Sequence, residues 1–209
     1  MNSKSFIRRH NACRWLPFFI SLILGALTLV LYRIFTPAPL ALSNLKITVC
    51  AFLPLIFPLL EKIIDIPLSV PLNLLLCSHI VFSVYLGTGA GFYSLISWWD
   101  LFLHGYFGVV GAFFIDYFLS LTGGENLIVG ARYFIIFLSV MGFAGLWEVF
   151  EFTTDIIFSQ DAQGVISAIK NGTSPIKDTM TDIIITALGF LVFLLTKLIY
   201  SHHKKDSLA

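Results

Sequence analysis

The sequence predicts an all-α fold, a polytopic transmembrane bundle of about six helices forming one integral membrane domain over residues 1–209. Three observations carry this reading. The chain is 57% hydrophobic and only 12% charged, where soluble domains carry about 25% charged residues. Apolar runs of the roughly 20 residues needed to cross a bilayer recur along it. The connections between them are short: the longest polar stretch, Ser159 to Lys177, shows no repeat and no low-complexity bias.

The predicted spans are Leu16–Phe35, Leu40–Leu60, Leu68–Leu86, Trp99–Leu119, Tyr133–Phe152 and Thr181–Tyr200. The first follows Lys4, Arg8, Arg9 and Arg14, as a secretory signal would. Signal cores run about 7–15 residues and end in a small-residue cleavage site. This run continues to Phe35 with no clear exit of that kind, so it reads as an uncleaved helix. The second span contains Lys46, Pro54 and Pro58; proline frees backbone groups that neighbouring helices can re-satisfy, and a kinked or re-entrant segment is the expectation. Cys13, Cys50 and Cys77 are scattered, form no CxxC pair and read as apolar fillers.

Cytoplasmic loops collect Lys and Arg. With six spans and an inner N-terminus, the inner segments hold nine such residues (Lys4, Arg8, Arg9, Arg14, Lys62, Arg132, Lys197, Lys204, Lys205) and the outer segments four (Arg33, Lys46, Lys170, Lys177). Both termini are therefore expected in the cytoplasm. A net charge of +1 gives no bulk field for nucleic acid; the lipid bilayer is the expected partner. No feature of the sequence sets an oligomeric state.

Three helix ends carry the ionisable residues. The fourth span opens with Asp100 and His104, the fifth ends with Glu148 and Glu151, and the sixth begins at Asp178 and Asp182. Spacings of three and four place each pair on one helix face, within about one turn at a rise of about 1.5 Å per residue. All six belong near one leaflet, the outer one if the basic C-terminus is cytoplasmic. A charged side chain at membrane depth costs about 2.5–3.5 kcal/mol, and five like charges repel, so some must be protonated or share a cation. Oxygen donors with one imidazole suit divalent ions such as Mg, Mn, Zn or Fe, and helix bundles build metal sites from such spacings. In this reading all six are metal ligands, with His104, Glu148 and Glu151 also placed for catalysis. The bland alternative makes Asp100 and Asp178 helix caps and the two glutamates interhelical glue. Convergence of six ionisable residues on one leaflet favours a functional site. His79 reads as a hydrogen-bonded interior residue, and Asp116, about 24 Å along the helix from Asp100, as a solvated carboxylate at the opposite interface. Gly105, Gly108 and Gly111 permit close helix packing.

Asp100-x-x-x-His104, Glu148-x-x-Glu151 with a following aromatic, and Asp178-Thr179-x-x-Asp182 resemble, in order and spacing, the YjdF-type family of uncharacterised bacterial inner-membrane proteins. A more distant likeness is to VanZ-like proteins, linked to teicoplanin resistance. Those have Gln where Glu151 stands and Asn where Thr186 stands, while Gly189 is in place. The resemblance implies a multi-pass protein of the cell envelope, and the YjdF-type family brings no established activity. Three functions stay open: a metal-dependent hydrolase or transferase on a lipid or lipid-linked substrate, a small transporter or proton-coupled permease, and a structural or binding protein. A continuous polar path toward Asp116 favours transport, and a closed floor beneath the six residues favours an enzyme.

Overall fold

The computed structural model describes residues 3–35, 41–55, 59 and 69–206. Among these there are helices and turns and no strand. They group into two compact units, residues 1–99 and 100–209.

In the first unit, α1 (Ser3–Phe35) is followed by α2 (Ala41–Phe52), which ends in a 3-10 turn, Leu53–Leu55. Pro54 lies within that turn, where its missing N–H and fixed φ stop an α-helix from continuing. The expected second span therefore has only 12 residues of α-helix before the break; Pro58 and Lys62 lie outside the described residues. α3 (Val70–Ile80) starts with Pro71 in its first turn and continues as a π-helix, Val81–Gly89. There the Ala90 amide donates to the Tyr85 carbonyl five residues back, at 2.9 Å. Gly91, at φ 76, turns the chain into the short helix α4 (Phe92–Leu95). Small residues bring α1 against its neighbours: a Cβ on Gly25 would sit 2.6 Å from the Ala51 Cβ, and one on Gly89 2.3 Å from Thr28 Cγ2. The Tyr85 hydroxyl donates to the Ser21 carbonyl at 2.9 Å and lies 2.8 Å from Ser21 Oγ. Buried polar groups of this kind need such partners.

The second unit holds α5 (Trp99–Leu121), α6 (Val129–Phe158), the short α7 (Val165–Lys170) and α8 (Lys177–Asp206). Its core is Ala112 and Ile115 from α5, Ile136 and Val140 from α6, and Phe190 and Phe193 from α8. The outward face of α6 exposes Phe143, Leu146, Val149, Phe150, Phe152, Ile156 and Ile157, the composition of a lipid-facing surface. Among the described residues four helical segments are long and apolar enough to cross a membrane: Pro71–Gly89, Trp99–Leu121, Val129–Phe158 and Lys177–His203. The first apolar run is shorter, Phe18–Leu31. Four spanning segments are thus found among the described residues, where the sequence suggests about six; the expected first span lies within the continuous helix α1, and the expected second span extends beyond the described residues.

Gly108 and Gly189 set the distance between α5 and α8. A Cβ on Gly108 would stand 2.2 Å from the Thr186 carbonyl oxygen, and one on Gly189 2.2 Å from that of Gly105. Backbone meets backbone there, as small residues allow in membrane bundles. Gly111, expected to serve the same purpose, meets only the Phe107 ring of its own helix at 3.4 Å.

Candidate functional site

Asp100 and His104 occupy the first two turns of α5, Asp182 the second turn of α8, and Glu148 and Glu151 the last third of α6. The backbone contact at Gly108 and Gly189 holds α8 close enough for Thr186 to bridge the two helices. Its hydroxyl donates to the Asp182 carbonyl at 2.8 Å and lies 3.3 Å from the His104 carbonyl. His104 Nε2 then stands 3.9 Å from Asp100 Oδ2 and 4.0 Å from Asp182 Oδ2.

Two groups of three side chains result, sharing His104. Asp100, His104 and Asp182 form one, and His104, Glu148 and Glu151 the other; within each, the potential ligand atoms all lie within 4.8 Å of one another. His104, Glu148 and Asp182 are buried, Asp182 at 1% exposure and Glu148 at 6%. One carboxylate oxygen on each of two residues, Glu148 Oε1 and Asp182 Oδ1, is fully buried and has no hydrogen-bond partner among the described residues. A buried carboxylate left so is costly unless a cation or proton meets it.

Asp178 belongs to neither group of three, though it lies near enough for its charge to act on Asp100, Glu148 and Asp182. Its carboxylate packs against Gly164, where a Cβ would lie 3.0 Å from Oδ2. The sequence pattern put it with the other five because it shares the spacing of Asp182, but the first turn of α8 faces the loop from α6.

That loop supplies a residue that no spacing along the chain singles out. Gln163 donates from Nε2 to the Glu148 carbonyl at 3.2 Å and reaches Glu148 Oε2 at 3.5 Å and Thr179 Oγ1 at 3.3 Å. Two aspartates order the loop around it: Asp155 accepts from the Ala162 and Gln163 amides, and Asp161 from the Ile166 and Ser167 amides. Gln163 is 15 residues from Glu148 and 16 from Thr179, so no helical spacing links them. The turn-forming Asp161 and Gly164 were the only local hint. Trp147 donates from Nε1 to Glu151 Oε1 at 2.9 Å.

The far end of α5 corrects one expectation. Asp116 is not solvated but 8% exposed. Arg132 reaches its Oδ1 from Nε at 2.8 Å and from Nη2 at 2.5 Å, and Lys197 Nζ stands 2.6 Å from its Oδ2. Arg132 also donates to the Gly124 and Asp116 carbonyls and to Ser120 Oγ. The partners come from the start of α6 and the end of α8, which a reading along one helix does not bring together.

Fold and site define a multi-pass, all-α membrane protein with an ionisable cluster at one end of its last three long helices. The chain belongs to the family described as predicted membrane protein (DUF2238), whose model matches residues 17–203. It is similar to a protein of Thermotoga maritima described as an uncharacterized protein, 32% identical over 146 residues that cover 67% of each chain. No solved structure matches it.

Proposed function

We propose that this protein is a divalent-cation-dependent hydrolase or transferase acting on a lipid or lipid-linked envelope substrate at the outer face of a bacterial inner membrane. The observation that carries the reading is the pair of orphaned, buried oxygens, Glu148 Oε1 and Asp182 Oδ1, in groups whose ligand atoms lie within 4.8 Å. Structural glue would spend such oxygens on donors from neighbouring helices. Here the two carboxylates that carry them group with His104 and with further carboxylates, the surroundings a cation requires. In this reading Asp100, His104, Glu148, Glu151 and Asp182 are ligands, and Glu151 also exchanges protons through one of its two oxygens. A bound cation would make a water nucleophilic near neutral pH and polarise the scissile group. For hydrolysis, the water oxygen forms the new bond to the phosphoryl or acyl centre. The ester bond breaks with its electron pair on the leaving oxygen, and the proton taken by Glu151 returns to that oxygen.

Transport is the weaker reading. Between the level of His104 and that of Asp116 the interhelical space is filled by an apolar cluster that includes Ala112, Val140, Phe190 and Phe193. Asp116 itself is held by Arg132 and Lys197. Both facts support a site with a floor over a polar path.

The outer placement follows from the basic residues at the other end, Arg132, Lys197, Lys204 and Lys205. The order and spacing of the Asp–His, Glu–Glu and Asp–Asp pairs, which resemble the YjdF-type family, support the inner-membrane setting. The VanZ likeness adds nothing here, since Glu151 stands where those proteins have Gln. A C-terminal reporter should be active in the cytoplasm; activity only outside it overturns the placement.

The decisive experiment measures metal and lipid products together. Purified wild type should carry a divalent metal that His104→Ala loses. When incubated with a total envelope lipid extract, it should yield a product by mass spectrometry that chelator abolishes. Metal without any product overturns the catalytic role. No metal and no chelator effect overturns the whole reading.

A further inference from the structure

The cluster divides unevenly from the standpoint of a single ion. His104 is common to both groups, but the carboxylates are not: Asp100 and Asp182 belong to one, Glu148 and Glu151 to the other. Each group contains one buried oxygen without a partner, Asp182 Oδ1 in the first and Glu148 Oε1 in the second. These orphans sit on different helices, α8 and α6. A lone ion drawn to one group would leave the orphan of the other as it was.

Charge makes the same point. Asp100, Glu148, Glu151 and Asp182 carry four negative charges when ionised. Among the described residues none of the four pairs with a lysine or arginine; the ion pairs of the cluster are those of His104 with Asp100 and Asp182. One divalent ion leaves half of that charge uncompensated at a depth where charge is expensive. Two divalent ions with a neutral imidazole offset those four charges.

We propose that the cluster binds two divalent cations, one against Asp100 and Asp182 and the other against Glu148 and Glu151, with His104 ligating one of them. The inference rests on the reading that the cluster is a cation site, and adds its nuclearity. Four carboxylates and one imidazole projecting inward from three helices match the donor chemistry of carboxylate-bridged metal pairs in bundles, and an oxygen-rich set with one nitrogen suits Mn or Fe. A cation pair can hold both the attacking and the leaving oxygen of a displacement, so nuclearity bears on the chemistry available.

The test loads the full-length protein in detergent with Mn²⁺ alone and reads metal per protein and the electron paramagnetic resonance spectrum. Two Mn²⁺ per chain are expected, with an exchange-coupled spectrum distinct from that of an isolated ion. Asp100→Asn and Glu151→Gln each remove a ligand of one group only. Each should bind one Mn²⁺ and give an uncoupled spectrum, and thermal unfolding of each variant reports that it is folded. One Mn²⁺ per wild-type chain overturns the pair and leaves the single-site reading standing. No bound Mn²⁺, Fe²⁺ or Zn²⁺ at any loading overturns both. Two ions retained with a coupled spectrum in both variants would place the pair elsewhere and also overturn the assignment.

Discussion

The two ends of the second unit handle buried carboxylates in opposite ways. At one end, Asp116 has two cationic side chains and meets both at hydrogen-bonding distance, Arg132 at 2.5 Å and Lys197 at 2.6 Å. At the other, four carboxylates crowd around one imidazole, with ion-pair distances no shorter than 3.9 Å and two oxygens orphaned. The first arrangement is complete as it stands. Its charge is compensated, its donors are used, and its job is to tie α5, α6 and α8 together. The second is incomplete in a specific way, short of positive charge and rich in acceptors. A fold tolerates such a shortage when something outside the chain makes it good.

Breaking the complete end should have the largest effect on stability. Asp116→Asn leaves Arg132 and Lys197 without their carboxylate. Stranding a buried charge costs about 3–5 kcal/mol. Most of that should come from Arg132, because Lys197 is a third exposed and can turn its ammonium toward water. Thermal unfolding in detergent should show the loss. A shift no larger than that of a surface substitution would mean the network is incidental.

Next comes the seam that sets the geometry of the incomplete end. Gly108→Ala places a Cβ where the Thr186 carbonyl oxygen stands, 2.2 Å away. The helices must part, at a cost of about 1–3 kcal/mol for overpacking. Because Thr186 links the backbones of His104 and Asp182, the same change should weaken metal binding without touching a ligand. Gly111→Ala, facing only the Phe107 ring, should do neither. Equal effects at Gly108 and Gly111 would remove the seam from the account.

At the incomplete end the stability effect should be small or reversed. Glu148→Gln keeps the shape and removes one of four like charges, so metal-free protein should unfold within about 1 kcal/mol of wild type or slightly above it. Bound metal, and with it the stabilisation that chelator removes, should be lost. Strong destabilisation of the metal-free variant would instead make Glu148 a structural group and dissolve the contrast with Asp116.

How much of this was legible in the sequence differs between the same two ends. Asp100 with His104, and Glu148 with Glu151, share faces by spacing, so helical periodicity alone places them, and apolar run length places the helices under them. Asp116 was misread because its partners come from other helices: Arg132 lies 16 residues on and Lys197 near the chain's end. Gln163 was missed for the same reason, its contacts with Glu148 and Thr179 depending on a loop that folds back. Asp178 shares the spacing of Asp182 but falls outside both groups of three, since spacing says which residues share a face and not which way the first turn of a helix points. The second apolar run shows the limit of composition, because its α-helix gives way to a 3-10 turn at Pro54 although the run stays apolar through Leu60.

A third kind of carboxylate, outside the spans, gives the comparison its calibration. Among the described residues Asp161 is neither paired with a cation nor orphaned. It accepts from the Ile166 amide at 2.7 Å, the Ser167 amide at 2.9 Å and the Ser167 hydroxyl at 2.6 Å, and so caps α7. What burial it has pushes its carboxyl up, but these donors outweigh that and hold it below the usual carboxylate range. With the folded value depressed, the capping contribution is present in full above the ordinary carboxylate value, about 3.9, and is lost as pH falls through the lower folded value. Asp161→Ala should therefore loosen α7 at neutral pH by about 0.5–1 kcal/mol, the low end of a lost cap. In wild type the Ile166 and Ser167 amide resonances should titrate together, with a midpoint below that of an ordinary aspartate; in the variant that titration should vanish. A midpoint at or above the ordinary value would mean that protein donors do not compensate this carboxylate. The contrast with Glu148 Oε1 and Asp182 Oδ1, which lack such donors, would then lose its reference.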